Sequence, residues 1–243
     1  MLDIAVTTGG AASKRNQRLL REGFRFVNVT MNAREPRFLG AAKDSPYIRL
    51  SPSYPVSRVP VPFELGGEQR YSETVEGMWQ GLKLVNGEPD LGKFDMTNVW
   101  NLKRKTPPGC GVEGYYFGEG KPALKYAEAR RQIYVPAYLS VLEDQAKECV
   151  ERLRAAARED KIALVDQYKH DIRKVDAATH GAFSHACVLR DHLLGIDPLR
   201  PPQRAESTAA RAGKNARKKA RKNAARNAAR KRRAESPEID STI

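Results

Sequence analysis

From Arg204 onward the chain offers a hydrophobic core almost nothing. Residues 209–233, "AARAGKNARKKARKNAARNAARKRR", contain no aromatic and no branched aliphatic side chain. Such a segment cannot bury enough apolar surface to offset the entropy of ordering it, so it is predicted to be disordered alone. The stretch before it, "GIDPLRPPQRAEST", combines Gly, Pro and polar residues in the way that ends a helix and opens a linker. Folding is thereby confined to residues 1–203, and residues 204–243 form a basic tail. The tail holds 13 Lys and Arg against four acids, so it carries +9 of the net +14 and leaves +5 to the body.

The body has the composition of a globular α+β domain. The whole chain is 40% hydrophobic, tail included, and contains no run of about 18 apolar residues that would span a bilayer. "MLDIAVTTGGAASKR" lacks the basic n-region of a secretory signal, so a cytoplasmic protein is expected, with nucleoid or nuclear association through the tail. Cys110, Cys149 and Cys187 show no CxxC or Cys/His metal spacing and read as reduced, structural thiols. Alternation in "FRFVNVTM" predicts a strand over Phe24–Met31. Residues 46–73 read as loop, short strand and hairpin, followed by a helix from Thr74 to about Leu84. Residues 121–160 read as mostly helical with a break or kink at Pro136. "KIALVDQY" predicts a buried strand, and "FSHACVLRDHLLG" a closing helix capped by Ser184 and stopped by Gly195. The expected fold is thus α+β, mainly helical around a small sheet.

Chemistry-bearing residues fall in four clusters. In "YSETVEGMWQGLKL" (71–84) a helical advance of about 100° per residue places Glu76, Gln80 and Lys83 on one line, beside an apolar stripe of Val75, Met78, Trp79 and Leu82. An ordinary amphipathic helix has the same pattern, so spacing alone leaves both readings open. "VDQYKHDIRKVD" sets Asp166, Asp171 and Asp176 just past the predicted buried strand. His170, His180, His185 and His192 come late, without the close pairing usual for zinc. "GCGVEGYYFGEG" (109–120) is glycine-rich with aromatics but has neither GxGxxG nor P-loop spacing; it reads as a loop over a pocket.

"SPSYP" followed by "VPVPFELGGEQRYSETVEGMWQGLKL" resembles the opening of the NADAR (YbiA-like) family, in which a short strand pair precedes a helix reading roughly T-x-E-H-x-x-Q-x-x-K. Thr74, Glu76, Gln80 and Lys83 stand at those places, with Gly77 where the family has its histidine. Asp166 and Asp171 carry the family's later acidic spacing, and the likeness runs over about residues 46–195. The resemblance implies a single NADAR-like domain and cleavage of N-glycosidic bonds, in ribosylamino-pyrimidine intermediates or in ADP-ribose attached to guanine of nucleic acid. It implies Glu76 and Asp171 as catalytic carboxylates. Gln80 and Lys83 would then hold a ribose hydroxyl or phosphate, Trp79 or Tyr126 would stack on the base, and Arg130 in "AEARRQIY" is a further candidate for phosphate. No cofactor and no metal are expected.

The tail points to nucleic acid. Lys214, Lys218, Arg221, Lys222, Arg226 and Arg230 follow mostly three- and four-residue steps, so a helix could form once phosphates neutralise their repulsion. Lys and Arg that neutralise phosphates release counterions whatever the sequence. With no aromatic to stack on bases, the tail should add affinity without reading sequence. The alternative is a non-catalytic nucleic-acid-binding or structural protein that works through this tail.

Overall fold

The computed structural model describes residues 2–8, 13–31, 46–168, 170–171 and 183–200. Contacts divide the chain at Arg200 into two units, and the elements described below belong to the first, Met1–Arg200. The six tail cations named above, with Asp176 and His180, lie outside the described residues.

The chain begins with strand β1 (Ile4–Thr7), helix α1 (Lys14–Arg21) and strand β2 (Arg25–Asn28). A 3₁₀ turn at Ile48–Leu50 precedes the short antiparallel pair β3 (Val59–Pro60) and β4 (Tyr71–Ser72), then helix α2 (Val75–Gly81). Next come β5 (Lys83–Leu84), a 3₁₀ turn at Leu91–Lys93, α3 (Val99–Leu102) and β6 (Gly114–Tyr115), with β5 and β6 paired antiparallel. The main helical run follows: α4 (Tyr126–Ala129), a π-turn at Arg130–Tyr134, α5 (Val135–Glu143) and α6 (Lys147–Glu159). Strand β7 (Ile162–Val165) and helix α7 (His185–Leu193) close the body.

β7 is the axis of the fold. It lies between β1 and β2 in a three-stranded parallel sheet of order β1-β7-β2, with Ile162 opposite both Ile4 and Arg25. All four of its residues are buried. Ile162 and Leu164 face the main core, which holds Trp79, Tyr138 and α7. Ala163 and Val165 face a smaller core with Leu19, Phe24 and Phe26. A strand covered on both sides needs an unbroken apolar run, and "IALV" is one. The chain is therefore mixed α and β. Among the described residues no helix is long and apolar enough to cross a membrane.

Three expectations need correction. The strand over Phe24–Met31 is only Arg25–Asn28: the Val29 N–H still donates to the Val165 carbonyl at 3.3 Å, but Thr30 already lines the cleft described below. The helix from Thr74 stops at Gly81, and Lys83 belongs to β5, paired with Tyr115. Pro136 does not break its helix. It sits at the start of α5, directly after the π-turn, which widens the helix before the residue that cannot donate a backbone N–H. Strand β1 was not foreseen. The hairpin expected in residues 46–73 is present, turning on Gly66 and Gly67 at φ 62° and 78°, a backbone region that glycine enters without strain.

Candidate active site

A cleft of about 1350 Å³ opens beyond the carboxyl ends of β2 and β7, where open parallel sheets commonly bind ligands. Thr30 and Asp166, Gln167 and Tyr168 come from those strand ends. Helix α2 supplies Glu76, Trp79 and Gln80, β5 supplies Lys83, and the π-turn region supplies Tyr126, Arg130, Arg131 and Tyr134. The fold thus brings six expected residues to one cleft: Glu76, Trp79, Gln80, Lys83, Tyr126 and Arg130.

Helix α2 is anchored at its start. Thr74 caps it by accepting from the Gly77 N–H at 2.7 Å, and the Glu76 N–H donates to the Pro52 carbonyl at 2.9 Å. The SPSYP stretch therefore holds the backbone that carries Glu76. Gly77 has no room for a side chain: a Cβ there would lie 2.6 Å from the Lys93 carbonyl oxygen. The histidine of the resembled family cannot be accommodated at this position without displacing backbone.

The Glu76 carboxylate is set by a relay. Gln80 donates through Nε2 to Glu76 Oε1 at 2.5 Å, while its own Oε1 accepts from Lys83 Nζ at 2.7 Å and from the Arg104 N–H at 3.0 Å. The two bonds to Oε1 fix the amide's orientation, and the amide in turn aims the carboxylate. Gln80 is buried and spent in this network, so it positions Glu76 and offers little to a ligand. Burial pulls the Lys83 ammonium below its ordinary value; the Glu76 charge opposes that, while Arg130 and Lys103 reinforce it.

The other cleft carboxylates are engaged by the chain itself. Glu113 accepts from the Asn86 and Gly87 N–H groups, and Glu128 from the Lys125 N–H. Asp166 Oδ1 accepts from the Gln167 N–H at 2.6 Å, and Oδ2 from Ser184 Oγ at 2.7 Å and the Ala186 N–H at 3.4 Å. His185 Nδ1 lies 3.1 Å from Asp166 Oδ2, and its Nε2 donates to the Val29 carbonyl at 2.8 Å. Both neighbours are acceptors, so this geometry favours the imidazole protonated on both nitrogens. Burial alone would push Asp166 up and His185 down. Their mutual attraction and these hydrogen bonds outweigh it, lowering Asp166 and raising His185. The pair clamps the ends of β2 and β7 to the start of α7.

Asp171, expected as the second catalytic carboxylate, is not among the residues lining the cleft. Arg190 holds its Oδ2 at 3.2 Å. The acid that the strand end delivers to the cleft is Asp166, the residue directly after β7. Trp79 lines the cleft but is 2% exposed. Tyr115 stacks on it at 4.1 Å and the Arg130 guanidinium lies over it at 4.0 Å. Two groups at that height cannot share a face, so both faces are taken and Trp79 is a wall for its neighbours, not a free platform for a base. Tyr126 is half-buried with the Arg130 guanidinium 5.1 Å from its ring centre, which leaves it at most one face for stacking. Sequence reasoning passed over Trp100 and Tyr168, which are 69% and 46% exposed at the same cleft, and Tyr115. The aromatic-rich "GYYFG" was the signal for the last.

Residues 39–189 match the Family of unknown function (DUF6939). The chain belongs to that family. Every cleft-lining residue except Thr30 falls inside the matched span. No curated protein and no solved structure matches the chain.

Proposed function

We propose that this DUF6939 protein is an N-glycosidase of the NADAR type, hydrolysing the bond between a ribose C1′ and a base nitrogen in a phosphorylated nucleoside. ADP-ribose carried on a nucleobase of nucleic acid is the preferred candidate substrate. One observation carries the reading: of the four cleft carboxylates, Glu76 alone accepts no backbone N–H in the described hydrogen bonds, and the Gln80–Lys83 relay aims it along a wall of cations and aromatics.

The chemistry suits such a carboxylate. As the C1′–N bond breaks, its electron pair leaves with the base and positive charge grows at C1′ and the ring oxygen. Glu76 stabilises that charge electrostatically and accepts a proton from the water that attacks C1′. Passing that proton on through solvent to the departing base nitrogen leaves one water split between the two products and regenerates the carboxylate. Tyr126 offers a face to the base, and Lys83 a charge to the ribose or phosphate side. Asp171 has no part in this scheme, since Arg190 engages it away from the lining.

The test is turnover followed by mass spectrometry, with ADP-ribosylated guanine in DNA against a ribosylamino-pyrimidine phosphate. Glu76→Gln keeps the carbonyl that Gln80 bonds and should preserve the fold. It is expected to lose at least about a hundredfold in rate, roughly 2.7 kcal/mol of barrier. Wild-type rates from this variant on every substrate that turns over would remove Glu76 from the mechanism. A second reading, a non-catalytic nucleic-acid binder, is favoured by Trp100 and Tyr168 exposed at the cleft and by the basic tail; saturable binding with no turnover would select it.

A further inference from the structure

Among the described residues, Arg130 is the one strongly buried cation of the cleft wall with no counter-charge. It is 9% exposed, and its guanidinium is boxed by Trp79 at 4.0 Å, Tyr134 at 4.4 Å, Tyr126 at 5.1 Å and Phe183 at 5.3 Å. Among the described residues no carboxylate pairs with it and no acceptor takes a hydrogen bond from it, its buried Nε included. Cation–π attraction offsets only part of what it costs to take a guanidinium out of water. Evolved interiors do not keep such a charge unpaired without a use for it, and this one lines an open cleft.

We infer that Arg130 and Lys83 form a phosphate-binding subsite in the cleft, the aromatic box presenting the guanidinium edge to a phosphoryl group of the ligand. Geometry supports each part. The rings lock the guanidinium plane, so little rotamer freedom is lost when its parallel N–H groups meet phosphate oxygens. Lys83 spends one of its three N–H donors on Gln80 and has no other acceptor among the described residues. The two cations feel one another, since Arg130 is among the charges that lower Lys83, and an anion of more than one charge relieves that repulsion. A carboxylate would neutralise one cation; a phosphate or diphosphate neutralises both. The π-turn that begins at Arg130 adds the extra residue through which Arg130, Arg131 and Tyr134 all reach the cleft.

This inference rests on reading the cleft as a ligand site but not on hydrolysis, and its test involves no turnover. The full chain is melted with and without inorganic pyrophosphate, with acetate at equal ionic strength as control. At a hundredfold excess over Kd, wild type and Glu76→Gln should both rise by roughly 5–10 °C in Tm, and acetate should do nothing. Arg130→Met, which replaces the cation by an apolar chain of similar length, should lose the rise while keeping the same tail. An unchanged rise in Arg130→Met would place the anion elsewhere and overturn the assignment, as would no rise in wild type or an equal rise with acetate. If Arg130→Met does not fold, Arg130→Lys decides: a smaller rise than wild type supports the subsite, and an equal one overturns it.

Discussion

His185 shows how much one residue can hold. Its imidazolium joins Asp166 at the end of β7 to the Val29 carbonyl past β2, and both partners are buried. Because His185 is raised above its ordinary 6.5, its contribution to stability is complete below that pH and is lost as pH rises through the folded value. Asp166 lies below its ordinary 3.8, so its contribution is complete above that pH and is lost as pH falls through its folded value. The clamp is therefore strongest between those two pH values. His185→Phe strips the cation from a buried carboxylate and should cost about 3–5 kcal/mol in urea unfolding near pH 6, toward the lower end because Gln167 and Ser184 still donate. A loss no larger than that of a surface substitution would mean the pair is solvated in solution. The cysteines make a simpler prediction. Burial pushes the Cys187 thiol up to about 11 and raises Cys149, whereas Cys110 is half-exposed. Iodoacetamide at pH 8 should alkylate Cys110 first, as peptide mass spectrometry would show.

Among the elements, α2 was the most legible and the most misread at its end. The start near Thr74, Glu76 at the helix entry and the apolar stripe were plain from spacing, and Glu76 and Gln80 do meet across one helical turn. Lys83 reaches Gln80 as expected, but from a strand. What stops the helix is tertiary. A Cβ at Gly77 or Gly81 would come within 3.0 Å of the segment from Asp90 to Phe94, so this helix exists as the backbone groove that segment fits. Gly77→Ala, although it favours helix in isolation, should therefore destabilise by about 1–3 kcal/mol through overpacking. Thermal unfolding checks the sign; a stabilised Gly77→Ala would show that the packed segment yields easily. The π-turn before Pro136 belongs here too. Sequence reading saw a breaker, whereas the packing of Ile133, Val135 and Tyr138 in the core keeps the helix running through it.

For the whole chain, the charge division makes its own prediction. Deleting residues 204–243 removes +9 of +14. Duplex or single-strand affinity should fall, and the slope of log affinity against log salt should flatten by about 0.7–0.9 per lost phosphate contact. Unfolding of the truncated chain should be nearly unchanged, because the tail offers little apolar surface to bury. An unaltered salt slope would locate the electrostatic contact on the body.

Sequence alone settled what depends on local periodicity: the apolar run that makes β7 a two-sided strand and the start of α2 at Thr74. Ser184 does stand at the start of α7, but its hydroxyl donates to Asp166 and caps no helix N–H. Spacing also lined up Glu76 and Gln80 on one face of α2, whereas Tyr126 and Arg130, on another helical segment, reach the same cleft only through the fold. Only the tertiary structure decided which acid meets them. Asp166 and Asp171 are both acids past a buried strand, and spacing cannot tell a carboxylate that ends a strand at the cleft from one that Arg190 draws away. The boxed state of Arg130 was equally invisible, since its four rings come from three elements and one loop position between residues 79 and 183. Local rules act over a few residues, whereas pairing and desolvation depend on what the fold brings across a hundred.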